Sequence, residues 1–287
     1  MPPPPPGSPE ALAAMLVALG LGAARAVPIV WLVPAFGGRD LPAAVRLGLG
    51  SVLAALALPR VMGSLVAVAG VAVARGAAGE WASVGLLGWV VLAAREVLIG
   101  ATVGLVVSFA FRAAEAAGAL VDVVRGANLG EVLAPASETR TSPVGALYLL
   151  LASVIFLELG GLGRLVEALA RSYDAVPLPG VGGLVGASAG GLGGAAELIL
   201  AASAKLIESA VGLAAPVMVA LVLADLALGA VARILPAAPL YFAAMPLKAL
   251  LGIGIVLLGL GAFDAALTAG FPAWIRWAER GFALWAR

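Results

Sequence analysis

REVLIGATVGLVVSFAFRAAEAAGALVDVVRGANLGEVLAPASETRTSPVGALYLLL, residues 95–151, joins two apolar runs through a stretch of opposite character. Its flanks are rich in Leu, Val and Ala, which helices accept. Between them, residues 125–145 carry Gly126 and Gly130, Pro135 and Pro143, and the hydroxyls of Ser137, Thr139, Thr141 and Ser142. Glycine lowers helix preference, proline removes a backbone donor, and hydroxyls compete for backbone hydrogen bonds. This segment is built not to be a regular helix. Irregular backbone at membrane depth survives only where protein buries it or water lines it. The segment is therefore either an exposed connection, ending in a Ser142 N-cap and a Pro143 first turn, or the border of an aqueous path. The exposed connection is the default reading of these residues, although about twenty residues is long for a plain connection and such loops are often functional.

The whole chain sets that stretch in a membrane context. Of its 287 residues 63% are hydrophobic and 11% charged, far from the composition of soluble domains. Seventeen basic and sixteen acidic residues nearly cancel, so no charged surface suggests nucleic acid. The chain has neither cysteine nor histidine, which removes disulfides, thiol nucleophiles, imidazole bases and the zinc sites built on them. We expect no catalytic residue, no metal and no cofactor.

Apolar segments fall at about residues 11–36, 41–74, 82–121, 143–170, 195–232 and 239–267. Prolines at 28, 34, 42, 59, 216, 236, 239 and 246 predict kinked or split helices and more than six helical pieces. Residues 1–10 read as a proline-rich, uncleaved lead-in, with Ser8 capping a helix that starts at Pro9. Residues 11–287 read as one helical domain containing a candidate plug loop at 125–143, a glycine-rich flexible loop at 176–194, and an amphipathic C-terminal helix at 271–287.

Uncharged runs are short for free spanning helices, 14 residues between Glu10 and Arg25 and 15 between Glu96 and Arg112. Charges come instead as opposite pairs three residues apart: Arg112 and Glu115, Asp122 and Arg125, Arg164 and Glu167, Arg171 and Asp174, Lys205 and Glu208, Arg276 and Glu279. Such neighbours on a helix partly neutralise one another where water is scarce. For Arg112, Glu115, Asp122 and Lys205, flanked by apolar runs, a buried or interfacial place is expected. Those at Arg171 and Arg276 read as solvated helix ends.

Three stretches together resemble the export-apparatus T subunit family of bacterial type III secretion systems (SctT), whose flagellar counterpart is FliR. They are residues 95–151 quoted above, RSYDAVPLP at 171–179, and AAPVMVALVLADLALGAVARILPAAPLYFAAMPLKALLGI at 214–253. Arg125-Gly126, Ser142-Pro143 and Ser172-Tyr173 look more like the injectisome branch than the flagellar one. The resemblance implies an all-α membrane protein of broken and kinked hydrophobic helices and hairpins, packed within a hetero-oligomeric export gate of the bacterial inner membrane. It implies R and S subunits as core partners, U and V subunits and inner rod and needle proteins nearby, membrane lipid around them, and unfolded secreted proteins as cargo.

In that family the loop similar to 125–143 contributes to a channel plug, which assigns Arg125, Gly126, Asn128, Gly130, Glu131, Pro135, Ser142 and Pro143 to gating. Arg112, Glu115, Asp122, Lys205, Asp225, Arg233 and Lys248 are assigned to inter-helix or inter-subunit contacts. A secondary transporter for a small solute shares the broken helices and intramembrane charges, but it predicts symmetry-related broken segments in two halves, and these are not visible.

Overall fold

The computed structural model describes residues 9–37, 41–74, 85–126, 142–176, 188–234 and 240–285. The described chain is helical: α1 (Pro9–Leu32), a 3-10 turn (Pro34–Phe36), α2 (Ala43–Ala74), α3 (Leu86–Arg125), α4 (Pro143–Glu158), α5 (Gly161–Ala175), α6 (Ser188–Ile234) and α7 (Leu240–Trp285). Helix α1 is described from Pro9 onward, and its expected cap, Ser8, lies outside the described residues. Pro28, Pro59 and Pro216 lie inside continuous helices and split none of them. Pro34 and Pro42 stand at helix starts, where the missing N–H costs nothing.

The break that does occur was not expected. The apolar segment predicted over 143–170 is two helices bent by 71° between Glu158 and Gly161. Gly160 sits at φ 66°, a left-handed conformation that ends α4 without Cβ strain. Helix character changes at that point. Helix α4 is apolar nearly all round, whereas α5 buries Leu165, Ala168, Leu169, Ser172 and Tyr173 on one stripe. Its Arg164, Glu167, Arg171 and Asp174 are exposed.

The segment expected to form an amphipathic C-terminal helix, 271–287, is described as far as Trp285 and is helical there. Residues 271–285 continue α7 through Pro272. Of the glycine-rich stretch at 176–194, residues 177–187 lie outside the described residues, while 188–194 form the first turns of α6. Extending an existing helix over glycine costs less than nucleating one.

Among the described residues three helices are long and apolar enough to cross a membrane, and a fourth if α4 and α5 count as one bent span. The protein is a multi-pass membrane protein. Helices α3, α6 and α7 have 40, 47 and 46 residues. At about 1.5 Å per residue each exceeds the roughly 30 Å hydrocarbon layer about twofold, so part of each lies outside it.

The chain forms two compact units: residues 1–108, 160–202 and 273–287, and residues 109–159 and 203–272. In the first, α1 packs on α2, and α2 on α5. Close approach is set by glycine: a Cβ on Gly50 would stand 2.6 Å from Val27 Cγ2, and one on Gly104 2.9 Å from Ile29 Cα. The second unit has an aromatic centre. Phe111, Phe156 and Phe271 stand with ring centroids 5.2–5.4 Å apart, and Tyr148 lies 4.0 Å from Phe263.

Candidate functional site

The site with the densest polar chemistry in the second unit is the base of the segment that interrupts the two apolar runs. Asp122, only 1% exposed, sits one turn before the end of α3. Its Oδ1 accepts from Arg125 Nε at 2.7 Å, and Arg125 Nη2 lies at the same distance. Its Oδ2 accepts from the Ser142 hydroxyl and from the Val144 backbone N–H at 2.9 Å. Ser142 Oγ in turn accepts from Gly145 N–H at 2.9 Å. The first turn of α4 is thereby satisfied completely: Pro143 has no N–H, Val144 gives its own to Asp122, and Gly145 to Ser142. The carboxylate also faces the positive end of the α4 dipole. One buried acid ties together both ends of the segment between Gly126 and Ser142.

Two glycines make that geometry possible. A Cβ on Gly118 would fall 2.5 Å from Val144 O and from Gly145 N, so α3 and α4 meet there backbone to backbone. Gly126 turns the chain out of α3 at φ 80°. On the other side, the Arg125 stem packs against Gly252 of α7, where a Cβ would come within 3.0 Å of Arg125 Cδ. Lys248, one turn earlier on that face of α7, bonds Asp225 of α6 at 2.8 Å. Two ion pairs therefore line adjacent levels of α7.

The remaining expected residues are placed differently. Arg112 and Glu115 pair at 2.6 Å, and Lys205 and Glu208 at 2.9 Å, but both pairs are well exposed in the isolated chain. Of the four charges expected to be buried or interfacial, only Asp122 is buried within the chain, because the others project from helix faces that this chain does not cover. Arg233 is exposed near the end of α6. Arg125, Gly126, Ser142 and Pro143 belong to the base just described, whereas Asn128, Gly130, Glu131 and Pro135 lie outside the described residues. Arg171 reaches back to Glu167 at 2.6 Å and across to Glu279 at 3.4 Å.

The first unit holds a second polar centre that sequence reasoning missed. Arg25 of α1 is fully buried and bonds Glu96 of α3 at 2.6 Å, Ser172 Oγ at 3.0 Å and the Val176 carbonyl at 3.0 Å. Its guanidinium lies 4.3 Å over the Tyr173 ring, and the Tyr173 hydroxyl donates to Gly22 O at 3.1 Å. Gly100 allows α3 to touch the Arg25 backbone directly. The signal was available in the sequence: unlike the paired charges, Arg25 has no acid three or four residues away, and a charge without a local partner in an apolar run needs a distant one.

These features define a class first: a multi-pass helical membrane protein in which buried charges fasten helix ends to one another. The chain belongs to the bacterial export proteins, family 1, whose pattern matches residues 16–272. It is 32% identical over 163 residues to the secretion system apparatus protein SsaT of Salmonella typhimurium, an alignment covering 57% of this chain and 60% of that one. It is 30% identical over 157 residues to the Yop proteins translocation protein T of Yersinia pestis, covering 55% and 58%. The flagellar biosynthetic protein FliR of Caulobacter vibrioides is 26% identical over 245 residues, covering 85% and 89%. The match thus spans about three fifths of the two secretion relatives and most of the flagellar one.

Proposed function

We propose that this chain is a structural and gating subunit of the inner-membrane export channel of a bacterial type III protein secretion system. In this reading it joins R and S subunits in the portal through which unfolded substrates enter, beneath the rod and needle proteins and beside the U and V subunits. It is not an enzyme; its work is to pack, to open and to close. The higher identities to the secretion and translocation relatives favour the injectisome branch.

The observation that carries the gating role is the two-ended clamp at Asp122. A segment whose sequence is poor in helix formers, with one carboxylate bonding the residues on either side of it, has a fixed base. That is what a plug needs. Unfolded cargo displaces residues 125–143, and the base returns them. Deleting residues 128–140 in the assembled complex should raise ion leakage across the inner membrane; unchanged leakage rules the plug out.

The flagellar branch is the second reading, supported by the long alignment with FliR. Complementation separates the two. Restored effector secretion in a strain lacking its injectisome T subunit supports the first reading, and restored motility in a strain lacking FliR supports the second.

A further inference from the structure

The Arg25 centre contains more positive charge than it neutralises. Among the described residues Arg25 and the adjacent Arg95 face one carboxylate, Glu96, and the other groups on Arg25 are a hydroxyl, a carbonyl and an aromatic ring. Arg25 is well bonded, but Arg95 is not. Its Nη1 stands 3.6 Å from Glu96 Oε1, beyond hydrogen-bond length, and Arg95 Nε, Arg95 Nη1 and Glu96 Oε1 are buried without a hydrogen bond. The Arg95 side chain keeps 17% of its surface accessible, at the edge of the unit.

The surface around that edge is apolar. Leu86, Leu87, Val90 and Val91 are exposed on one side along α3, and Val97 and Leu98 on the other. Arg95 lies nine residues beyond Leu86, about 13 Å along the helix. A guanidinium at such a place does not rest in hydrocarbon. The exposed leucines and valines around it suit an apolar helix better than a polar headgroup. A carboxylate carried on such a helix brings the one negative charge that is missing.

We propose that Arg95 is the docking point for an acidic side chain on an apolar helix of a partner subunit, which completes the buried cluster of Arg25, Glu96 and Arg95. The proposal rests on the reading of this chain as a subunit of a membrane assembly, and adds the chemistry of one contact.

The test uses the full chain, co-expressed with its neighbouring export-apparatus subunits and extracted in mild detergent. Arg95→Leu and Arg95→Glu should each lower the recovered complex about tenfold or more, as expected when one partner of a desolvated charge pair is removed. Arg95→Lys should retain most of it, and an Asp or Glu to Arg change on one partner helix should rescue Arg95→Glu. The unfolding midpoint of the chain alone in detergent should change little with Arg95→Leu, because Arg95 Nε and Nη1 make no hydrogen bond and the pair with Glu96 is long, at 3.6 Å. Full recovery of complex with Arg95→Leu overturns the proposal. So does an intact complex that has only lost bound anionic phospholipid by native mass spectrometry, which would assign Arg95 to lipid. If the unsubstituted chain co-purifies with no subunit, the export reading fails and this inference with it; a complex that forms but is indifferent to Arg95 overturns this inference alone.

Discussion

Arg25 and Asp122 are both almost completely buried, and each fastens the start of a segment rich in glycine or hydroxyls, yet they are built from different materials. Arg25 gathers partners from positions 71 to 151 residues away, on two other helices and the turn after α5. Asp122 takes its partners from within 22 residues, on the end of its own helix and the start of the next. The first centre holds distant parts of one unit together; the second holds a local hinge. A charge that bonds across the fold should be essential to stability, and one that bonds across a turn should be essential to the position of that turn.

The largest test of this contrast is Glu96→Ala. It leaves Arg25 buried and uncompensated, and the chain should lose about 3–5 kcal/mol of stability, read from detergent or urea unfolding. The double change Arg25→Met with Glu96→Leu should recover most of that loss, since a packed apolar pair replaces a buried ion pair at little cost. If the double variant is as unstable as the single one, Arg25 contributes something besides its charge pair.

Asp122→Ala comes next. It strips Arg125, Ser142 and the Val144 N–H of their acceptor and should cost about 2 kcal/mol, less than Glu96→Ala because Arg125 is close enough to the surface to find water. Its signature differs as well: ion leakage of the assembled complex should rise, whereas Arg25→Met with Glu96→Leu should leave leakage unchanged. Equal leakage in both would erase the distinction between the two centres.

Ser142→Ala removes the cap of α4 but leaves Val144 bonded to Asp122. About 1 kcal/mol should be lost, with a smaller rise in leakage than for Asp122→Ala. At the weak end, Lys205→Ala opens an exposed pair three residues apart and should change stability by no more than about 0.5 kcal/mol. A large loss of assembled complex from that change, with the chain itself intact, would place Lys205 at a subunit interface.

Much of the second centre was legible before the fold. Asp122 and Arg125 stand three apart, Ser142-Pro143 is a helix-start pattern, and Gly126 marks an exit from a helix, so each piece can be read from its neighbours. What spacing could not show is that the acid at 122 reaches the cap at 142. That contact depends on α3 and α4 meeting at Gly118 and Gly145, and a glycine in an apolar run reads only as a site of close packing. The first centre was less legible. Ser172 and Tyr173 stood out only as features of a resemblance, Arg25 lay in an apolar run with no local partner, and the bend at Gly160 was hidden inside a continuous hydrophobic segment.

The amino-acid sequence by itself determined that this is a helical membrane protein, where most helices run, which segment interrupts them, and to which family the chain is akin. These follow from sums and spacings over neighbouring residues: apolar content, helical periodicity, proline and glycine at helix ends. Only the tertiary structure decided which charges are buried and which are exposed. Burial depends on which faces pack, and glycines far apart in the chain set how closely the helices approach. A guanidinium at residue 25 meets a carboxylate at residue 96 only because Gly100 lets two backbones touch.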